Sequence, residues 1–207
     1  MSLLEAVQQG HIDRDEISAY QARQLANLKD PAVNELLVAG WGQVRESPVG
    51  RRQLIGKLKG ELTAQHLATG NSAAGRKLFD KNCASCHTLY GMGGKLGPDL
   101  TGAQRSNLDY LLENIVDPSA VVTNEYRATV VRLEDGRVLT GLVTNLTDRT
   151  LSLATQNEVF QIPVDEIEQK MLSSASTMPD GLLSQLTATQ IRDLFAYLQS
   201  NQQVEAE

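Results

Sequence analysis

Cys83-Ala84-Ser85-Cys86-His87 holds the two cysteines of this 207-residue chain. The Cys-x-x-Cys-His order is the pattern of a c-type haem attachment site. Two thiols add to the haem vinyl groups, and the imidazole beside the second is placed to ligate iron from one face. Covalent tethering lets a small domain keep its cofactor without enclosing it on every side, which suits electron transfer through an exposed edge. Other chemistries use such a pair and stay open at this point. A thioredoxin-like dithiol follows a strand of a βαβ unit, whereas Ser72 to Asn82 predicts a short helix with Leu78 and Phe79 on its apolar side. A zinc site needs about four protein ligands, or three with an open position, and His11 and His66 have no ligand spacing to the motif. A structural disulfide leaves His87 unexplained.

Iron held by His87 needs a second axial ligand, and the methionines are Met1, Met92, Met171 and Met178. Met1 is terminal. Met92 follows His87 so closely that the chain would have to wrap the porphyrin rim within a very short loop. Met171 and Met178 are far enough along to return over the opposite face. Met178 is favoured, because Pro179 stiffens the backbone and Gly181 permits a turn beside it. A thioether ligand favours ferrous iron and raises the reduction potential relative to a second imidazole. Between the motif and these methionines, Gly97-Pro98-Asp99-Leu100-Thr101-Gly102 predicts a rigid turn. Pro98 lacks an amide hydrogen but keeps its carbonyl, a candidate acceptor for the other imidazole proton of His87. An ordinary Gly-Pro loop is the plainer reading of the same residues.

Outward from the motif, the chain falls into zones. Residues 1–70 predict a helical N-terminal region. Asp13 with Glu16 suggests a capping box ahead of Ile17, Tyr20, Gln21 and Gln24. Asp30-Pro31 and Ser47-Pro48 each suggest an N-cap before a proline suited to a first turn. Trp41 is expected to pack these helices together. Arg51, Arg52, Lys57 and Lys59 make one helix locally basic, read as a solvated face ahead of a docking surface for an acidic partner. Residues 71–207 predict the haem domain. Leu108, Leu111, Leu112, Ile115 and Val116 give a helix starting near Ser106 that Asp117-Pro118 ends. Within this domain, about 125–168 reads as a β-rich insertion. Tyr126, Ala128, Val130 and Leu133 precede an Asp135-Gly136 turn, and Thr147 to Arg149 forms a polar break. Strand signals continue through Val164. The insertion is read as structural cover ahead of a partner-binding surface. Thr187 and Gln190 suggest a capping box for a last helix bearing Ile191, Leu194, Phe195, Tyr197 and Leu198. Gly75 and Phe79 suggest that the helix before the motif crosses it closely, with Tyr197 a packing residue.

Gly75-x-x-x-Phe79, Cys83-Ala-Ser-Cys-His87, Gly97-Pro-Asp-Leu100, Met178-Pro179 and Leu194-Phe-Ala-Tyr-Leu198 resemble class I cytochrome c in order and character. The resemblance implies a mainly α cytochrome c-like fold whose first and last helices cross, here with a small antiparallel β insertion and a short helical region ahead. It also implies His87 and Met178 as iron ligands, with the Pro98 carbonyl supporting the histidine. The long His-to-Met separation departs from that family. More narrowly, the chain resembles the C-terminal haem-binding domain of large planctomycete and verrucomicrobial proteins. The matching stretches include Asp30-Pro-Ala-Val33, Asp135-Gly-Arg-Val-Leu-Thr-Gly141 and Met178-Pro-Asp-Gly-Leu182, and the resemblance covers nearly the whole chain. It implies a linked or partner dehydrogenase domain as electron donor.

The expected function is therefore one-electron transfer through covalent haem c, not catalysis. A peroxidase-like enzyme with an open distal site is the alternative, as is a docking module with a vestigial haem site. With 25 Asp and Glu against 19 Lys and Arg, the composition gives no support to nucleic-acid binding. Met1 to Gly10 lacks a long apolar core, so neither a signal peptide nor a membrane span is expected in this sequence. Haem attachment nonetheless implies a periplasmic or otherwise exported protein whose targeting segment is missing here. A chain produced without haem-ligation machinery leaves room for an apo form or a Cys83–Cys86 disulfide.

Overall fold

The computed structural model describes residues 2–205; Met1, set aside above as terminal, lies outside them. The N-terminal helices are α1 (Leu3–Gln8), α2 (Ala19–Ala26) and α3 (Pro31–Gly40), followed by the short strand β1 (Gly42–Val44). Asp30 caps α3 by accepting from the amides of Ala32 and Val33, and Pro31 fills the first turn, where its missing N–H costs nothing. The box before α2 forms at Ser18 and Gln21 rather than at Asp13 and Glu16. Residues Arg14–Glu16 make a 3₁₀ turn instead, which lets Ile17 turn inward and leaves extended Ser18 as the cap. Trp41 packs this cluster with Leu4, Val7, Ile17, Ala22 and Leu37, and its indole N–H donates to the Ile17 carbonyl at 2.8 Å. That bond satisfies the polar atom that burial of tryptophan otherwise strands.

The next elements are α4 (Val49–Glu61), α5 (Ala64–Leu67), α6 (Ser72–Asn82), the two-residue strands β2 (Thr88–Leu89) and β3 (Met92–Gly93), and α7 (Leu108–Val116). Pro48 itself holds the N-cap position of α4 with no side-chain cap, so Ser47 does not play the part expected of it. Asn107 caps α7 through the Tyr110 amide. Asp117 ends that helix by leaving the helical region, at φ −135° and ψ 71°, as the following Pro118 disfavours helical backbone there.

The strand-rich stretch follows as β4 (Val121–Thr123), β5 (Arg127–Leu133), β6 (Val138–Leu146), β7 (Thr150–Ala154), β8 (Val159–Pro163) and β9 (Ile167–Ser176). It is longer than the expected 125–168 because β9 carries it to Ser176. Strands β5 to β9 form one antiparallel sheet in the order β8-β7-β6-β5-β9. Val131, Leu133, Leu151, Leu153 and Ile162 supply its core. The Asp135-Gly136 turn stands where expected, with Gly136 at φ 85°. The last helix among the described residues is α8 (Ala188–Leu198), capped by the Thr187–Gln190 box.

These elements make two compact units, each assembled from two separated stretches: 1–47 with 118–177, and 48–117 with 178–207. The division differs from the expected boundary at residue 70. In the first unit, β1 pairs with β4 in a separate two-stranded sheet, and the N-terminal helices share a body with the five-stranded one. In the second, Leu58 and Leu62 of the α4 region join the same core as Phe79, Leu112, Phe195 and Leu198. Helices α4 and α5 therefore belong with the haem motif. The physical reason is that Leu58, and Leu62 just past the helix end, are buried in that core, a partner that local periodicity does not reveal.

Candidate functional site

Helix α6 delivers the motif, and its position is set by α8. Gly75 and Phe79 are its buried residues. A Cβ on Gly75 would run into the Asp193 carbonyl oxygen and come within 2.8 Å of Tyr197 Cβ, so only a residue without a side chain lets the helices meet. One turn on, the rings of Phe79 and Tyr197 stand 5.6 Å apart at 59°, a tilted arrangement that aromatic pairs favour. Asp193 is nearly buried and accepts from the Asn71 amide at 3.0 Å, tying the start of α6 to α8.

The chain then coils tightly. Cys83 caps α6 by donating its amide to Phe79, and the amides of Cys86 and His87 both donate to the Cys83 carbonyl. This turn puts two thiols and an imidazole on one short piece of backbone. The loop beyond is pinned beneath them: Gly94 N–H donates to Ala84, Gly97 N–H to Cys86 and Leu100 N–H to Thr88. Strands β2 and β3 join through Tyr90 and Gly91, both at positive φ (54° and 77°), the backbone of a two-residue hairpin. Tyr90 is held in that conformation from several sides. Its amide donates to Thr101 Oγ1 at 2.8 Å, its hydroxyl donates to the Ser200 carbonyl, and the Arg105 guanidinium lies 5.0 Å over its ring. Arg105, itself buried, also donates to the carbonyls of Leu100 and Ser200. This clasp was not read from the sequence; an arginine beside a Gly-rich loop carries no periodic signal.

His87 Nδ1 lies 2.9 Å from the Pro98 carbonyl oxygen. A carbonyl only accepts, so Nδ1 carries the proton, and Nε2 of the neutral ring keeps its lone pair for a metal. Gly97 makes room for that ring: a Cβ there would sit 2.6 Å from Cε1 and 2.8 Å from Nδ1. Cys83 and Cys86 are free thiols. Burial, followed by the nearby Cys86, pushes the Cys83 thiol up to about 12. A redox dithiol needs the opposite, a thiolate stabilised near neutral pH. Among the described residues no three His, Cys, Asp or Glu side chains are grouped to hold a metal ion, which leaves a zinc site without ligands. His66 is instead engaged with the Glu61 carbonyl at 2.8 Å. The donor set present, two free thiols and one oriented imidazole with an open nitrogen, fits a covalently held haem.

Residues 72–125 match the cytochrome c family. Those residues are a cytochrome c domain. The cofactor of such a domain is a c-type haem with iron, attached covalently. The chain is also similar to the cytochrome bc1 complex cytochrome c subunits of Mycobacterium bovis and of Mycobacterium tuberculosis, at 28% identity over 109 residues. The aligned stretch covers 50% of this chain and 39% of each relative. Among the described residues no helix is long and apolar enough to cross a membrane.

The candidate sulfur ligands separate by position. Met92 is exposed, and its sulfur faces Arg76 Nη2 at 3.7 Å and Gln203 Nε2 at 3.5 Å. Met171 lies in β9, paired with Val130 in the sheet of the first unit. Met178 is half-buried and belongs to the second unit, with the cytochrome c motif. It sits on irregular backbone just ahead of Pro179 and of Gly181, whose φ of 75° makes the turn.

The raised Cys83 thiol gives a direct test on chain produced without haem. Iodoacetamide at pH 8 is expected to modify native Cys83 at least about tenfold more slowly than the same cysteine in denatured chain, since only the thiolate reacts. Equal rates, read by peptide mass spectrometry, would show that the native fold does not shelter the sulfur.

Proposed function

We propose that this chain carries single electrons through a haem c bound by Cys83 and Cys86, with His87 and Met178 as the axial ligands. Haem c supplies the one-electron ferric/ferrous couple when bound. The observation that carries the reading is the His87–Pro98 hydrogen bond, which fixes both the tautomer and the direction of the ligating nitrogen. Holding Nδ1–H on a carbonyl is the usual way in which a protein orients a metal-bound histidine. Met178 is supported by its place in the same unit as His87 and by the engagement of Met92 with Arg76 and Gln203. Such a ligand set leaves no position for peroxide, so the reading favours transfer over turnover. No nucleophile or acid–base pair is needed for it.

Electron carriers work between partners. The family resemblance points to a linked or partner dehydrogenase as donor, and the similarity to bc1 complex cytochrome c subunits supports a protein redox partner of some kind. Haem attachment of this type places maturation outside the cytoplasm, so the protein is read as periplasmic or otherwise exported.

The experiment is a redox titration with absorption spectra on exported, haem-loaded protein, alongside Met178→Ala. Wild type is expected to be low-spin in both oxidation states and to show the near-infrared methionine-to-iron band when ferric. Met178→Ala is expected to lose that band and to fall in reduction potential, as loss of a thioether ligand predicts. A high-spin wild type with an open coordination position would overturn the carrier reading in favour of a peroxidase-like one.

A further inference from the structure

Met178 sits on a segment with little regular hydrogen bonding, between the end of β9 and a 3₁₀ turn at Leu182–Gln185. Its neighbour two residues on, Asp180, is gripped by an arginine from a distant part of the chain. Arg51, near the start of α4, places Nη1 at 2.8 Å from Asp180 Oδ1 and Nη2 at 2.7 Å from Oδ2. This is a two-pronged contact, the strongest geometry available to an arginine and a carboxylate. The same Nη1 lies 2.6 Å from Oδ1 of Asp117, at the end of α7.

The two carboxylates differ in a way that matters. Asp117 has a side chain 0% exposed, whereas that of Asp180 is 55% exposed. A buried carboxylate deprived of its cation is costly. Asp117 therefore holds the guanidinium in place whether or not Asp180 is present. Arg51 is a pre-set arm anchored on α7, and Asp180 is the handle it grips. All three residues lie in the unit that contains His87.

We propose that Arg51 is a positioning residue for Met178: anchored on buried Asp117, it grips Asp180 and holds the Met178-Pro179-Asp180 segment where the sulfur is needed. This rests on the reading of Met178 as the iron ligand. The arm acts through the backbone of that segment.

The test uses exported, haem-loaded wild type, Asp180→Asn, Arg51→Lys, Met178→Ala and the Asp180→Asn/Met178→Ala double variant. Imidazole is the probe, titrated into ferric protein and followed by absorption, since it must displace a bound thioether. Asp180→Asn removes only the half-exposed prong and leaves Arg51 on Asp117, so the fold is kept even if Arg51→Lys fails to mature. Asp180→Asn is expected to bind imidazole about fivefold more tightly than wild type and to weaken the near-infrared band, the size of a partly exposed two-pronged ion pair. On the Met178→Ala background the same substitution is expected to leave imidazole affinity unchanged. A wild type with the band, but with Asp180→Asn binding imidazole like wild type, would overturn the clamp while leaving Met178 as ligand. An equal rise on both backgrounds would overturn it too, by showing a general loosening. Absence of the band in wild type would overturn the ligand reading and the clamp together.

Discussion

The Cys83→Ser/Cys86→Ser double variant is expected to yield its whole complement of porphyrin to acidic organic solvent, where wild type keeps all of it. The two thiols are the cysteines of the chain, and serine cannot replace them, because its hydroxyl is far less acidic and less nucleophilic than a thiol. His87 remains in the variant and still presents Nε2, so some haem is expected to bind without a covalent bond. The measurement is a haem stain on a denaturing gel, paired with solvent extraction of the native protein. Each single variant keeps one thioether and is expected to retain stain, with the reduced absorption band displaced in proportion to the one unsaturated vinyl. Haem that stays with the denatured double variant would mean that the attachment lies elsewhere.

Gly75→Val is expected to be the most damaging single substitution of an uncharged residue in the cytochrome c domain. The Asp193 carbonyl stands where the first side-chain carbon would go, and it is backbone in the middle of a helix, so it cannot rotate aside. Either α6 and α8 separate or the carbonyl's own bond strains. Overpacking of this kind costs about 3 kcal/mol or more, and Gly75→Ala about 2 kcal/mol. Separation would also loosen the Phe79–Tyr197 contact, one turn nearer the cysteines. The check is the denaturant midpoint of the haem-loaded proteins, with a yield measurement for the valine variant. A midpoint for Gly75→Ala within error of wild type would show that the helix crossing tolerates movement.

What was legible in the sequence follows from which signals are local. The Cys-x-x-Cys-His motif, the Thr187–Gln190 box and the Asp30-Pro31 helix start each depend on residues within a few positions of one another, and each stands where the pattern put it. The Asp135-Gly136 turn belongs with them. Gly75 was readable as a point of close approach because its spacing to Phe79 keeps both on one face of a helix. Strand β9 was not readable. Ile167-Glu-Gln-Lys-Met-Leu-Ser-Ser-Ala-Ser176 has no alternation, and most of its side chains are exposed. It is a strand because β5 offers it a backbone ladder from Arg127 to Leu133. The compact units divide elsewhere than at residue 70 for a related reason. Helix α4 has only a weak apolar face, and whether it joins the N-terminal helices or the motif depends on contacts made far along the chain. At the site, Pro98 was nameable because proline keeps a carbonyl while giving up its amide hydrogen. Arg51 and Arg105 were not, because nothing near either residue says which oxygen atoms it will meet.

The chain leaves the unit that holds His87 at Asp117 and re-enters it at Met178, after the whole of the sheet has been laid down. Within the sheet's own unit, the Ser176 amide donates to Ser119 Oγ at 3.0 Å, so the outgoing turn and the returning strand are fastened together a residue or two from where the chain changes unit. Once that unit has formed, the tether that α8 must close is a few residues long instead of the full 118–177 excursion. On simple polymer grounds this lowers the ring-closing entropy by about 2 kcal/mol. An insertion that looks like a burden on the fold thus becomes the device that brings its two ends within reach, and a sheet that forms slowly would hold back the last helix with it.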